Sequence, residues 1–215
     1  MSNELQSYLD NMPLVAILRG IKPVEAVAVV EAIHHAGFGM VEVPLNSPQP
    51  LQSIQRIADA FGDKLLVGAG TVLAPQQVHD VHSAGGKLVV SPNTNIEVIQ
   101  ATAALELISM PGAATPSEAF AAINAGASAI KAFPAEMVTP QVLKSWKSVL
   151  PAGLPVLAVG GINPSNLADY WQAGANGFGL GGALYKANKS VDAVTRDAEQ
   201  FIETMRRVIN TTSSR

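Results

Sequence analysis

The feature that most constrains the fold of this chain is a regular alternation between short apolar runs and longer amphipathic stretches. The apolar runs are continuous, which is typical of strands covered on both faces, and such strands are usually parallel. Eight runs have this character, at residues 14–18, 40–43, 65–69, 87–91, 106–110, 128–132, 155–159 and 177–181. The stretches between them have helical periodicity and often open with Pro, at residues 23–36, 50–61, 75–84, 94–104 and 116–125.

A weak internal repeat supports this count of elements. The dipeptide Ala-Gly precedes every second apolar run, at Ala36-Gly37, Ala84-Gly85, Ala125-Gly126 and Ala173-Gly174. Gly at such a position ends a helix and lets the chain turn into the next strand. An open doubly wound sheet would show a Gly-rich fingerprint after its first strand, which residues 19–23 lack. We therefore predict the α/β class and a (β/α)8 TIM barrel with an extra N-terminal helix.

The whole chain, residues 1–215, is predicted to form this single barrel domain, because no linker or change of composition divides it. Residues 1–12 are predicted to be the leading helix. Residues from about 190 are predicted to form a trailing helix that ends in a frayed polar tail, 211–215.

Composition excludes several classes of protein. With 48% apolar and 14% charged residues the chain can bury a large core. A net charge of -3 without a basic cluster argues against nucleic acid as a partner. No cysteine is present, so thiolate chemistry is excluded. The longest uncharged stretch, 148–168, is broken by prolines, so we expect no membrane span and a cytoplasmic protein.

Polar residues fall at the carboxyl ends of the predicted strands, where barrels of this fold carry their chemistry. Lys131 lies within an apolar strand, and desolvation would lower its pKa, so that the neutral amine can attack a ketone to form an iminium. The alternative is a lysine that reaches solvent or pairs with a carboxylate. Glu42 is the one charge of its strand and could transfer protons at the substrate. Its alternative is an ion pair with Arg19 or Lys131.

Arg19 ends the first strand, and its planar guanidinium suits a substrate carboxylate. Thr71 could add a hydroxyl to the same carboxylate or could cap the next helix. Two glycine pairs, Gly160-Gly161 and Gly181-Gly182, follow the seventh and eighth strands, the usual phosphate site of this fold. His79 and His82 could form a metal pair, but no third ligand accompanies them, and we expect neither a metal nor a cofactor.

Four segments in this order resemble the KDPG/KHG aldolase family. They are Ala16-Ile17-Leu18-Arg19-Gly20, Val41-Glu42-Val43-Pro44-Leu45-Asn46, Gly68-Ala69-Gly70-Thr71-Val72 and Ile130-Lys131-Ala132-Phe133-Pro134-Ala135. The resemblance implies a metal-free homotrimer of barrels, with a phosphorylated 2-keto acid as substrate and pyruvate and D-glyceraldehyde 3-phosphate as products. It assigns Lys131 to the Schiff base and Glu42 to proton transfer. Arg19 and Thr71 would hold the carboxylate, and Gly160, Gly161, Gly181 and Gly182 the phosphate.

Two departures concern specificity. Phosphogluconate members of the family carry Thr-Leu-Arg-Thr where this chain has Pro44-Leu45-Asn46-Ser47, which implies the galactonate epimer as substrate. The gluconate epimer and a broader range of 2-keto acids remain alternatives. The family often has Ser-Asp where this chain has Gly182-Ala183, so a hydroxyl contact to phosphate would be absent. More distant alternatives are another phosphate-binding barrel enzyme and a non-catalytic sugar-phosphate-binding barrel.

Overall fold

A computed structural model describes residues 3–213 of the chain. The strands are β1 (Leu14–Ile17), β2 (Met40–Pro44), β3 (Leu66–Gly70), β4 (Leu88–Val90), β5 (Ile108–Met110), β6 (Gly112–Ala113), β7 (Ile130–Ala132), β8 (Val156–Val159) and β9 (Gly177–Leu180). The helices are α1 (Asn3–Asn11), α2 (Pro23–Ala36), α3 (Pro50–Phe61), α4 (Pro75–Ser83), α5 (Ile96–Ala104), α6 (Pro116–Asn124), α7 (Pro140–Lys147), α8 (Leu167–Gln172) and α9 (Val191–Ser213), with a 3-10 turn at Gly62–Lys64.

The strands form one parallel sheet in the order β5-β4-β3-β2-β1-β9-β8-β7-β6. Its two ends, β5 and β6, are consecutive halves of one strand interrupted at Pro111, whose carbonyl still accepts a hydrogen bond from the Lys131 amide at 2.9 Å. Proline has no N–H to donate, which explains the interruption. The sheet therefore closes as a nearly complete barrel of eight strand positions, and the predicted (β/α)8 fold is confirmed.

All eight predicted strands are present, and helices α2 and α3 begin and end at the predicted residues. The four glycines of the Ala-Gly repeat adopt positive φ angles, as a turn out of a helix requires. Helix α9 continues through Ser213, where a frayed tail was predicted over residues 211–215, and residues 214 and 215 lie outside the described part of the chain. The predicted leading helix, residues 1–12, corresponds to α1. Residues 1 and 2 lie outside the described part of the chain.

The hydrophobic core has two layers. The larger one packs the outer faces of the strands against the helices. The smaller one fills the barrel interior and includes Val15, Met40, Leu66 and Leu157. Leu5 and Leu9 of α1 belong to this inner cluster, so the N-terminal helix closes the end of the barrel where the strands begin. The opposite end of the barrel is open, and the polar residues at the carboxyl ends of the strands lie there. Within residues 3–213, no helix is long and apolar enough to cross a membrane.

Candidate active site

The open end of the barrel contains a cavity of about 570 Å³. Every site residue predicted from the sequence lines it: Arg19, Glu42, Thr71, Lys131, Gly160, Gly161, Gly181 and Gly182. They come from six different strands or from the loops that follow them, and parallel closure brings those strand ends together. The structure thus brings these eight residues together, as the sequence predicts. Their chemical roles stay predictions.

Lys131 points into the barrel from β7. Side chains alternate along a strand, so Lys131 shares the inward face with Ala129 of the inner core. The side chain is buried, with 6% of its residue surface exposed, and Nζ lies 4.6 Å from the centre of the Phe133 ring. Burial lowers the pKa of the ammonium; the Arg19 charge lowers it further, while the Glu42 charge opposes both. The alternative of a lysine that reaches solvent is wrong.

Glu42 lies on the inward face of β2, where Met40 belongs to the same inner cluster one alternation earlier. It is 2% exposed, and among residues 3–213 its Oε2 atom has no hydrogen-bond partner. Desolvation raises the pKa of the carboxyl group to about 7, and the charges of Lys131 and Arg19 only partly oppose this. Among the described residues no basic group lies within 4.0 Å of it, so the predicted alternative of an ion pair is not observed.

The inner wall beside Glu42 is made of glycine. A Cβ atom on Gly70 would lie 1.7 Å from Glu42 Oε2, and one on Gly68 would lie 1.9 Å from the Leu88 carbonyl oxygen. Strand β3 pairs in register with β2, with Glu42 opposite Gly68. The carboxyl group of Glu42 therefore occupies the space that a side chain at position 70 would fill. Position 70 must be glycine for Glu42 to lie where it does.

Arg19 and Thr71 lie on neighbouring rims of the cavity. The Arg19 side chain is exposed, and its Nη1 donates a hydrogen bond to Asn46 Oδ1 at 2.6 Å. Thr71 is half-buried and adopts a left-handed backbone conformation, φ 58°, which is unusual for a β-branched residue and typical of functional sites. The N-cap of α4 is Ala74, so the alternative role of Thr71 as that cap is wrong.

The first glycine pair forms a tight turn after β8. Gly160 and Gly161 have φ angles of 106° and 63°, and a Cβ on either would approach the Glu136 carboxylate to within 2.9 Å and 2.8 Å respectively. The Gly161 carbonyl accepts hydrogen bonds from Asn163 Nδ2 at 3.1 Å and from Asn166 Nδ2 at 3.0 Å. Two amide side chains thus fix the orientation of this turn. Sequence reasoning missed both, because their role follows from the folded loop.

The second glycine pair, after β9, is open. A Cβ on Gly181 would contact no atom within 4 Å, and one on Gly182 would approach only Lys186 Cε, at 3.6 Å. Lys186 itself lines the cavity, and within residues 3–213 its ammonium has no hydrogen-bond or ion-pair partner. This lysine was also missed, since it lies six residues beyond the end of a strand. A free positive charge here stands beside the turns that were predicted to bind phosphate.

Within residues 3–213 no group of three potential metal-binding side chains occurs. His79 and His82 lie on α4 and do not line the cavity. The cavity instead combines a buried amine of lowered pKa, a buried carboxyl group of raised pKa and an exposed guanidinium. Such a set at the open end of a parallel barrel is typical of enzymes that act on carbonyl compounds through an amine nucleophile and an acid–base partner.

Comparison with known proteins identifies the family within this class. Residues 5–199 match the aldolase family described as KDPG and KHG aldolase, and the chain belongs to that family. It is therefore an aldolase, and so a lyase. The family assignment favours the predicted aldolase over the two alternatives, a non-catalytic barrel and another phosphate-binding barrel enzyme.

The relatives and solved structures agree with this assignment. The chain is 49% identical, over 94% of its length and 98% of the relative's, to 2-dehydro-3-deoxy-6-phosphogalactonate aldolase of Escherichia coli (strain K12). A solved native KDPGal structure is 49% identical, with a TM-score of 0.91 over 93% of this chain and 97% of that one. A cube-shaped protein cage, designed by fusing symmetric oligomeric domains, is 48% identical, with a TM-score of 0.93 over 94% of this chain and 75% of that one.

Proposed function

We propose that the protein is a class I aldolase that cleaves 2-dehydro-3-deoxy-6-phospho-D-galactonate to pyruvate and D-glyceraldehyde 3-phosphate through a Schiff base on Lys131. The observation that carries the proposal is a pair of buried groups that both line one cavity. One is a lysine of lowered pKa, and the other is a carboxyl group whose Oε2 atom has no hydrogen-bond partner within residues 3–213. The identity to the Escherichia coli phosphogalactonate enzyme supports the choice of substrate.

The covalent steps begin at Lys131. Its neutral amine attacks the C2 carbonyl of the substrate to give a carbinolamine. Protonated Glu42 donates its proton to the carbinolamine hydroxyl, which leaves as water, so that an iminium forms on Lys131 and Glu42 is left ionised. The positive nitrogen draws electrons from the C3–C4 bond when Glu42 removes the proton from the C4 hydroxyl. The bond breaks, the aldehyde leaves, and an enamine remains on Lys131. Glu42 then returns this proton to C3. Water adds to the iminium and gives up a proton to Glu42, and the carbinolamine that results releases pyruvate and the free amine.

The pKa of Glu42 suits a group that must both accept and donate a proton. A group that first accepts and then donates a proton works best when its pKa lies near the working pH. Burial raises the pKa of this carboxyl group to about 7, so that both protonation states are populated near neutrality. The apolar floor of the cavity, which includes Val90, Met110 and Leu157, provides this desolvation.

The two ends of the substrate would be held by opposite rims. Arg19 and Thr71 would bind the carboxylate next to the reacting carbonyl. The phosphate would lie against the glycine turns, where Lys186 would supply a positive charge. This charge would offset the missing serine hydroxyl at position 182.

We further propose a homotrimer in the cytoplasm. The similarity to the chain of a cage designed by fusing symmetric oligomeric domains supports an oligomer, and the family resemblance supports three subunits. A cytoplasmic location fits a substrate whose phosphate and carboxylate charges prevent it from crossing a membrane unaided. Light scattering of the purified protein would measure the number of subunits.

The direct test of the substrate is a steady-state assay of pyruvate release from the galactonate and gluconate epimers of the phosphorylated keto acid. Wild type should prefer the galactonate epimer in kcat/KM, and Lys131→Ala should be inactive on both while it remains folded. Lys144→Ala, which changes an exposed lysine of α7, is the matched control and should retain activity. A preference for the gluconate epimer would overturn the proposed substrate, and activity of Lys131→Ala would overturn the mechanism.

A further inference from the structure

The loops that follow β1 and β2 are joined by two hydrogen bonds in which side chains of the second loop are the acceptors. Arg19 Nη1 donates to Asn46 Oδ1 at 2.6 Å, and the backbone N–H of Gly20 donates to Ser47 Oγ at 2.9 Å. Arg19 lines the cavity, whereas Asn46 does not. Asn46 therefore reaches the site only through the arginine that it holds.

The asparagine is attached to a fixed support. Its neighbour Ser47 is buried, and the Ser47 amide donates to the Pro44 carbonyl at 2.9 Å. The Leu45 amide donates to the Gly70 carbonyl of β3 at 2.8 Å. Arg19, in contrast, has a long and exposed side chain with many rotamers. The Asn46 side chain is also exposed, but it is short and stands on this braced loop, so it has fewer rotamers than the arginine that it accepts from.

An amide oxygen is a suitable acceptor for this purpose because it is neutral. It occupies one of the five N–H donors of the guanidinium and leaves the full positive charge in place. Among residues 3–213 the Arg19 side chain makes no other hydrogen bond, so its remaining donors are available to a ligand. An acidic residue at position 46 would also orient the arginine, but it would compete with an incoming carboxylate for its charge.

We propose that Asn46 is a positioning residue that holds Arg19 in the orientation in which it binds the carboxylate of the keto acid. This inference rests on the proposed function, since it deepens the role of Arg19 in that site. A long side chain that is ordered before the ligand arrives does not lose that freedom on binding. Removal of Asn46 should weaken the binding of carboxylate-bearing ketones and leave other ketones unaffected.

The experiment compares two ketones on the full-length protein. Borohydride trapping on Lys131 is measured as a function of pyruvate concentration, and in parallel with acetone, which has a methyl group in place of the carboxylate. Asn46→Ala should raise the half-saturating concentration of pyruvate about three- to tenfold, the usual effect of freeing one such side chain. Trapping of acetone should not change. Asn124→Ala is the matched control, because Asn124 is exposed at the end of α6, away from the cavity.

A double-mutant cycle with Arg19→Met separates a positioning role from a general structural one. In the Arg19→Met background Asn46→Ala should have no further effect, because the two residues act as a unit. Additive losses, equal losses for pyruvate and acetone, or an unchanged half-saturating concentration in Asn46→Ala would each overturn the inference. If wild type binds pyruvate without a trapped imine, the proposed function fails instead, and calorimetric pyruvate binding by Asn46→Ala would still decide this inference.

Discussion

Replacement of Glu42 by glutamine should make the protein more stable at alkaline pH while it abolishes most of its activity. Glutamine keeps the shape of the side chain but cannot ionise. In wild type the carboxyl group is buried without a partner for Oε2 within residues 3–213, and its pKa is raised from the ordinary 4.5 to about 7. The folded protein thus holds a proton at Glu42 up to about pH 7, whereas the unfolded chain releases it above pH 4.5.

The sign and size of the effect follow from this difference. A folded-state pKa above the unfolded one means that wild-type stability falls as pH rises from about 4.5 to about 7 and is then constant for this group. At about 1.4 kcal/mol per pH unit, the full loss is about 3 kcal/mol. Lys131 loses a favourable charge partner in the variant, so we expect Glu42→Gln to gain about 1–2 kcal/mol over wild type at pH 8 relative to pH 4.5.

Urea unfolding at a series of pH values between 4.5 and 8.5 measures this difference at constant protein concentration. Glu31→Gln, which changes an exposed carboxylate on α2, is the control for the loss of one negative charge, and the gain of Glu42→Gln should exceed any change that it shows. A stability difference between Glu42→Gln and wild type that does not vary with pH would refute the reasoning, since Glu42 would then ionise as readily in the folded as in the unfolded state.

Three further predictions concern the same cavity. Glu42→Gln should lower kcat by about 10²–10⁴, the usual contribution of a positioned acid–base group, and should impair trapping of the pyruvate imine much less; an unchanged kcat would show that Glu42 only balances charge. Gly70→Ala should lower kcat in a similar way, because its methyl group would displace the carboxyl group that lies 1.7 Å from its position; a wild-type kcat would contradict this. Lys186→Met and Gly181→Val should each raise KM for the phosphorylated substrate while sparing the unphosphorylated keto acid, and equal losses on both substrates would show that phosphate binds elsewhere.

The barrel and the polar ends of its strands could be predicted because both depend on local patterns. Continuous apolar runs with helical stretches between them define parallel strands, and parallel strands place their carboxyl ends together. Lys131, Glu42 and Arg19 were therefore found from their positions alone. The short strand β6 was missed because the predicted apolar run, 106–110, ends just before Pro111. The sequence therefore suggests a single strand that stops at the proline.

Contacts between loops could not be predicted in this way. The need for glycine at position 70 is visible only when β2 and β3 are paired in register. The contact of Asn46 with Arg19 is visible only when the two loops have been brought together by the fold. Lys186 lies beyond its strand, in a loop without a repeating pattern. The left-handed conformation of Thr71 likewise follows from the site as a whole, since its sequence alone favours an extended conformation.

The central claim is that Lys131 is the residue that forms the imine, and peptide mapping after borohydride reduction with pyruvate tests it most directly. Lys147 is the informative competitor, because burial lowers its pKa as well, but its Nζ donates hydrogen bonds to the Leu154 carbonyl and Asn176 Oδ1. We expect a single reduced adduct, on Lys131, with loss of activity in proportion to labelling. An adduct on Lys147, or on an exposed lysine such as Lys87 or Lys144, with Lys131 unmodified, would contradict it.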